Sequence, residues 1–205
     1  MPARLLVTAC LALLLSAACA ASISHAAPPH PLKGNPADRL ADRPIDDYRY
    51  DHARHCRRGP APGTLALEAW LTAHVRGASW GIMRCEKLSR RDYSLHSEGR
   101  ALDWHLDVTD PPDRRAAKKV IRLLLATDRG GNEHALARRM GIQEIIWNCR
   151  SWWSGSDGMD DYSVCFTERG KPRRGVSATL AHKDHIHFGL SRAGAAKRTS
   201  FWRAR

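Results

Sequence analysis

The sequence predicts an α+β fold in which a small antiparallel sheet is flanked by helices. Amphipathic helical segments and short apolar strands both occur, and they follow one another in mixed order rather than in a regular strand–helix alternation. We expect helices at residues 63–77, 110–131 and 133–141, and strands at residues 79–85, 101–108, 142–147 and 181–191.

The helix at 110–131 has the clearest signals. Asp110 can cap its N-terminus, Pro111 suits the first turn, and two glycines at residues 130 and 131 end it. Apolar residues recur at helical spacing between these ends: Ala117, Val120, Ile121 and Leu124. Residues 148–175 are predicted to form a long surface loop, in which Trp152 and Trp153 could line a groove. Residues 192–205 are expected to be a basic tail.

The chain is expected to divide into three parts. Residues 1–26 have the charge and apolar run of an export signal, with cleavage after Ala20 or Ala26, and acylation of Cys19 is an alternative. Residues 27–45 are Pro-rich and predict an extended, poorly ordered leader. Residues 46–205 have the size of one domain. No later segment is apolar and long enough to span a bilayer, which predicts a secreted protein.

Four cysteines remain after the signal: Cys56, Cys85, Cys149 and Cys165. An even number in an exported chain favours two disulfides, and four cysteines allow three pairings. We favour Cys56 with Cys85 and Cys149 with Cys165, because each bridge then closes a local loop. Zinc binding by these cysteines has no support from a Cys-x-x-Cys pair.

The formal net charge is +12 and the isoelectric point is about 10.0. Such a charge suits anionic partners outside the cell, either wall polymers or a membrane surface, and nucleic acid is the alternative. A basic surface that is merely solvated is the simplest interpretation of charge alone.

Polar side chains alternate with apolar ones in two predicted strands. His185 and His187 share one face of the strand at 181–191, while Ile186, Phe188 and Leu190 share the core face. Asp103 and His105 lie on the polar face of the strand at 101–108. Two imidazoles and one carboxylate are a typical catalytic zinc set, but periodicity alone does not select the ligands.

The stretch SLHSEGRALDW, residues 94–104, reproduces a known signature. Ser94, His96, Gly99, Ala101 and Asp103 match the Ser-x-His-x-x-Gly-x-Ala-x-Asp pattern, and a His-rich strand follows about eighty residues later. In these two motifs the chain resembles the zinc D-alanyl-D-alanine carboxypeptidases, whose fold is shared with hedgehog signalling domains and penicillin-insensitive murein endopeptidases.

The resemblance implies a Zn²⁺ ion held by His96, Asp103 and His187. Gly99 would allow the chain to turn so that His96 and Asp103 converge. The segment from His182 to His187 is most similar to the endopeptidase branch, in which the penultimate histidine lies beside the reacting water.

One position departs from the vancomycin-resistance type of carboxypeptidase. That type has a glutamate as general base three residues before the last zinc ligand, where this chain has Asp184. The sequence leaves open whether Asp184 or His185 takes the proton. Arg84 and Ser94 are candidates for holding a substrate carboxylate or amide, and His182 is expected to support the substrate site.

The sequence therefore predicts a secreted, monomeric zinc peptidase that acts on peptidoglycan stem peptides and lies near anionic wall polymers. It does not decide between carboxypeptidase and endopeptidase activity. A non-catalytic zinc-containing wall-binding module is the alternative, favoured by the missing glutamate. A basic extracellular nuclease is a third possibility, which would leave the first motif unexplained, so no nucleic-acid partner is expected.

Overall fold

The structure is a computed structural model that describes residues 29–30, 32–47, 49–90 and 92–204. The predicted signal at residues 1–26, with Cys19, lies outside the described residues. No helix among the described residues has the length and apolar character needed to cross a membrane.

The chain folds into five short or medium α-helices and six strands within this part. The helices are α1 (Pro62–His74), α2 (Pro111–Leu124), α3 (Ala135–Met140), α4 (Arg192–Ala195) and α5 (Ser200–Arg203), with 3-10 helices at Pro36–Leu40 and Leu95–Glu98. The strands are β1 (Ala78–Gly81), β2 (Ala101–His105), β3 (Ile142–Trp147), β4 (Arg150–Trp153), β5 (Asp160–Asp161) and β6 (His185–Leu190).

All six strands join one antiparallel sheet in the order β1-β2-β6-β3-β4-β5. The predicted α+β class with a small antiparallel sheet is therefore confirmed. The last strand, β6, is inserted at the centre between β2 and β3, so residues far apart in sequence are brought side by side.

The two faces of the sheet differ in chemistry. Leu102 and Trp104 on β2, and Ile186 and Phe188 on β6, join one hydrophobic core with residues of α1 and α2. Because strand side chains alternate, Asp103, His185 and His187 occupy the opposite face. The helices thus cover the back of the sheet and leave its front for the polar residues.

Several segments differ from the expectations. The predicted basic tail packs, since α4 and α5 place Ala195 and Trp202 in the core. The predicted loop at 148–175 contains β4 and β5, so Trp152 is buried in the core while Trp153 lies on the front face. The strand predicted at 181–191 starts only at His185, and residues 181–184 form turns. Sequence periodicity gave no signal for these, because they depend on distant contacts.

The Pro-rich segment is also better packed than predicted. Its 3-10 helix buries Ala37 and Leu40. Arg139, fully buried on α3, donates to the backbone oxygens of Arg43 and Pro44 and to Asp128 Oδ2 at 3.3 Å. The segment from residue 36 to residue 45 is therefore held against the domain by hydrogen bonds from Arg139, whose charge is compensated by Asp128.

Two disulfides close the predicted local loops. Cys56 is bonded to Cys85, and Cys149 is bonded to Cys165. The favoured pairing is confirmed, and disulfides of this kind are typical of extracellular proteins.

The buried Asp128–Arg139 pair makes a testable contribution to stability. Replacing Asp128 with Asn leaves Arg139 charged and unpaired in the core, and we expect a loss of about 3–5 kcal/mol in the free energy of unfolding at pH 7. The control Asp42→Asn removes an exposed partner of Arg129 and should cost less than about 1 kcal/mol. Urea unfolding followed by circular dichroism measures both, and equal losses would contradict the assignment.

The effect of Asp128→Asn should depend on pH. Burial opposes ionisation of Asp128, but hydrogen bonds from Asn132 and Arg139 outweigh it and lower the pKa. A lowered carboxyl pKa stabilises the fold above the unfolded value of about 3.9, and this stabilisation is lost as the pH falls below it. The difference between wild type and Asp128→Asn should therefore shrink in urea titrations below pH of about 4.

Candidate metal centre

Strand register brings the first two candidate ligands together. In the β2–β6 ladder Asp103 lies directly opposite His187, and the His187 Nδ1 atom is 3.0 Å from Asp103 Oδ1. Both side chains are almost completely buried. The apolar residues on the other face of β2 and β6 fix these positions, because a register shift of one residue would turn Asp103 and His187 into the core.

His96 comes from the 3-10 helix at Leu95–Glu98. Ser94 caps this helix, and its Oγ accepts a hydrogen bond from the backbone N–H of His96. Gly99 ends the helix with φ of 65°, and a Cβ there would lie 2.7 Å from the carbonyl oxygen of Gly59. Only glycine fits this left-handed, crowded position. The turn at Gly99 brings His96 Nε2 to 3.1 Å from Asp103 Oδ1, so the predicted convergence of the two side chains is confirmed.

The three side chains form a compact set of ligand atoms. His96 Nε2 lies 3.1 Å from Asp103 Oδ1 and 3.2 Å from His187 Nδ1. One ligand atom from each residue lies within 4.8 Å of the other two. A buried group of two imidazole nitrogens and one carboxylate oxygen could hold a metal ion.

Hydrogen bonding on the far side of His96 supports this interpretation. His96 Nδ1 is 2.8 Å from the carbonyl oxygen of Ile82, which can only accept, so Nδ1 carries the proton. Nε2 then presents a lone pair toward a carboxylate oxygen and a second imidazole. Lone pairs that face one another in a buried site need a cation or a proton between them, and a metal ion meets that need.

The charges of the three residues are coupled. Burial opposes ionisation of Asp103, yet the neighbouring His187 and His96 rings hold its pKa far below the usual range. Burial lowers the pKa of His96 despite the carboxylate. Burial also disfavours the charged form of His187, but the Asp103 hydrogen bond and the nearby Glu144 carboxylate raise its pKa. Asp103 therefore stays anionic, as a ligand to a cation must.

Arg84 lies against the second oxygen of Asp103. Its Nη1 donates to Asp103 Oδ2 at 3.1 Å and its Nε donates to Glu86 at 3.1 Å, while about half of its side chain is exposed. The Cys56–Cys85 disulfide adjoins it, and the Ser97 hydroxyl bonds the backbone of residues 84 and 86. The bridge and Ser97 thus fix Arg84 beside the centre.

His185 lies next to the three ligands. Its Nδ1 is 2.7 Å from Asp184 Oδ1, and its Nε2 is 3.6 Å from Asp103 Oδ1. Asp184 Oδ2 accepts a hydrogen bond from the Thr179 hydroxyl at 2.6 Å. Asp184 is held on both oxygens and orients the His185 ring, whose Nε2 is directed toward the centre.

His182 has a backbone conformation in the left-handed region, with φ of 50°. Its ring packs against His185, His187 and Tyr162, with centroid separations of 4.7, 5.8 and 5.2 Å. Burial, aided by the two neighbouring histidines, lowers the pKa of His182 to about 3. Burial raises the pKa of Tyr162 to about 12. Both groups are neutral near pH 7 and form an uncharged wall.

Aromatic side chains flank the centre on both sides, and Trp80 and Tyr50 among them were not predicted from the sequence. On the β1 side, the half-exposed Trp80 packs against His105 and His185 at 5.1 and 5.5 Å. On the β3–β4 side, Trp153 packs against Tyr50, whose hydroxyl donates to Glu144 at 2.6 Å. No sequence motif indicates Trp80 or Tyr50 as a site residue. Trp80 reaches the front face through the position of β1 in the sheet, and Tyr50 reaches it through the path of a loop.

The chain matches one known protein family. A family profile described as VldE, C-terminal domain, matches residues 56–174, which is more than half of the chain. The chain belongs to this family. The VldE match contains His96 and Asp103, and it ends before β6, which carries His187. No curated protein and no solved structure matches the chain.

Removal of any one ligand should abolish metal binding. His96→Ala, Asp103→Asn and His187→Ala each leave only two protein ligands, and we expect bound metal to fall from about one ion per chain to a small fraction. Elemental mass spectrometry after dialysis measures the content. The control His105→Ala changes a neighbouring histidine outside the set, and a comparable loss in that variant would contradict the assignment.

Proposed function

We propose that this chain is a secreted zinc metallopeptidase that hydrolyses peptidoglycan stem peptides. The observation that carries the proposal is the convergence of His96 Nε2, Asp103 Oδ1 and His187 Nδ1 beside the oriented imidazole of His185. Three protein ligands with a proton acceptor at their edge are the arrangement that a hydrolytic metal site uses.

Zinc suits these ligands better than the hard cations do. Calcium and magnesium prefer six or more oxygen ligands, whereas two of the three donor atoms here are imidazole nitrogens. Zinc binds two histidines and one carboxylate with a fourth position free for water or substrate. A zinc ion bound by these residues would supply Lewis-acid activation of water and of a carbonyl oxygen.

The chain's own residues supply proton transfer and positioning. His185 would accept the proton of the attacking water at Nε2 and pass it to the departing amine, while Asp184 steadies the imidazolium through Nδ1. Asp184 itself is occupied by Thr179 and His185, which favours His185 as the base. Arg84, charged and half exposed, is placed to bind an anionic oxygen of the substrate.

The shape of the front face suits a peptide on both sides of the centre. Trp80 on β1 and Trp153 on β4 are separated by four strand spacings, which is roughly 19 Å. An extended peptide of about five or six residues spans that length. Aromatic walls at both ends, with the ligands between them, would hold the chain segments on either side of the scissile bond.

The disulfides and the net charge of the chain agree with a location outside the cell. Two disulfides indicate an oxidising compartment. A net charge of +12 would retain the protein near anionic wall polymers. Both features are shared by many extracellular proteins, and they support the location rather than the reaction.

A zinc-containing wall-binding module without hydrolysis is the second candidate. It is favoured by one feature: Asp184, at the position where the carboxypeptidases have their glutamate base, has both oxygens engaged by hydrogen bonds. In that case the front face would bind stem peptides without cleaving them.

Digestion of purified peptidoglycan separates these candidates. The zinc-loaded chain should release D-alanine or cleaved cross-links, detected by mass spectrometry of muropeptides, and a chelator should stop the release. Zinc and muropeptide binding without any product would favour the module. Absence of both binding and products would refute the peptidase proposal and the module together.

Substitution of the proton-transfer pair should have graded effects. We expect His185→Ala to lower kcat by about 10²–10⁴-fold, the usual contribution of a general base, with zinc content retained. Asp184→Asn keeps the size of the side chain but weakens the orientation of His185, so a smaller loss is expected. Steady-state kinetics on a synthetic stem peptide measure both. Wild-type kcat in His185→Ala would overturn this role.

Trp80 should contribute to substrate binding rather than to the chemical step. Its aromatic contact is expected to contribute roughly 0.5–1.5 kcal/mol, so Trp80→Ala should raise KM up to about tenfold with little change in kcat. Leu65→Ala removes a similarly exposed apolar side chain from α1, on the helical side of the sheet, and serves as the control. An unchanged KM in Trp80→Ala would refute the contact.

A further inference from the structure

A groove lies on the helical side of the molecule, away from the metal centre. It is formed between the end of α1, one flank of α2 and the residues Pro29, Leu32 and Gly34, and its volume is about 480 Å³. This volume is within the usual range for sites that bind small molecules. The sheet separates the groove from Asp103 and His187, so it is no part of the site described above.

The floor of the groove is apolar. Leu32, Val75, Val120 and Leu123 line it, and all four contribute to the hydrophobic core or pack against it. Val75 and Val120 are buried. Leu32 and Leu123 are only partly buried, and they remain in contact with water unless a ligand covers them. The floor therefore suits a hydrocarbon chain.

The rim of the groove is cationic. Lys119 and Arg122 are both exposed on α2, and the structure gives neither an ion pair within the part of the chain it describes. Arg76 also borders the groove, but Asp113 holds its Nε at 2.6 Å and compensates its charge. From residue 114 to residue 124 the chain carries five cationic side chains and no carboxylate.

We propose that this groove binds an acyl chain of an anionic membrane phospholipid, with Lys119 and Arg122 holding the phosphate. An apolar floor beside two uncompensated cations is complementary to an acyl chain beside a phosphate. A polyanion such as a wall polymer or nucleic acid would satisfy the cations but leave the floor uncovered.

The location of the groove gives the association an orientation. Since α1 and α2 cover the back of the sheet, a membrane held at the groove would lie behind it. The front face with Asp103, His185 and His187 would then point away from the lipid surface. The binding of lipid itself does not depend on the peptidase proposal.

Vesicle binding with charge-matched variants tests the proposal. The full chain is sedimented with vesicles of phosphatidylcholine alone, or of phosphatidylcholine mixed with an equal amount of phosphatidylglycerol. Lys119→Glu/Arg122→Glu changes the groove, and Arg115→Glu/Lys118→Glu makes the same charge change at exposed positions of α2 that do not line it. Because every variant has the same N-terminal residues, any contribution of those residues to membrane binding is common to all of them.

We expect the wild-type chain to bind the anionic vesicles only. Lys119→Glu/Arg122→Glu should weaken that binding about tenfold more than Arg115→Glu/Lys118→Glu does. Equal losses in the two pairs would show diffuse attraction of a basic protein to a negative surface and would overturn the site. Equal binding of wild type to both kinds of vesicle would overturn the requirement for an anionic lipid.

A soluble probe tests the combination of chain and phosphate. Octyl phosphate, octanol and inorganic phosphate are titrated by calorimetry, and octyl phosphate should bind at least about tenfold more tightly than the other two. Leu123→Gln should weaken the binding of octyl phosphate alone among the probes. Thermal unfolding of this variant is measured in parallel. If that variant does not fold, Lys119→Glu/Arg122→Glu serves in the same titration. If inorganic phosphate binds as tightly as octyl phosphate, a lipid site is refuted. Polyphosphate is titrated as a further probe, and binding as tight as that of octyl phosphate would refute a lipid site as well.

Discussion

The antiparallel pairing of β2 with β6 is the interaction on which the rest of the structure depends. It places Asp103 opposite His187 on the front face, and by the same register it places Leu102 opposite Phe188 and Trp104 opposite Ile186 in the core. Because side chains alternate along a strand, the packing of the apolar pairs fixes the position of the polar pair. The hydrophobic core therefore determines the geometry of the metal centre.

The third ligand, His96, is positioned by local contacts rather than by strand pairing. His96 is not on a strand, and its ring direction depends on a capped 3-10 helix, a left-handed glycine and the backbone oxygen of Ile82. These local features are each weak, but the Cys56–Cys85 bridge and the Ser97 hydrogen bonds fasten the same region from outside. A rigid strand pair and a braced turn together make the three-residue set.

The sequence predicted the elements whose signals are local. The cap at Asp110, the alternation along β2 and β6, the short disulfide loops and the convergence of His96 with Asp103 all depend on neighbouring residues, and all were found. The α+β class followed from the same patterns. Metal binding is possible at the predicted residues, while zinc and peptidase activity remain proposals.

The parts that could not be predicted depend on contacts between distant residues. Nothing near Trp80 indicates that β1 will carry it to the edge of His185, and nothing near Tyr50 indicates its bond to Glu144. The sequence predicts a tail where the C-terminal helices pack, because each of these helices is only four residues long. Their burial arises from tertiary packing, which a helix of that length needs in order to persist.

The packing of the C-terminal segment also has a kinetic consequence. The central strand β6 is the last to be synthesised, and α5 fastens Ser200 to the carboxylate of Asp46, while Arg192 on α4 binds Asp51. These contacts join residues separated by about three quarters of the chain, and long loops of this kind slow folding. The sheet cannot close until residues 185–190 have left the ribosome, so the metal centre cannot form before His187 has been synthesised.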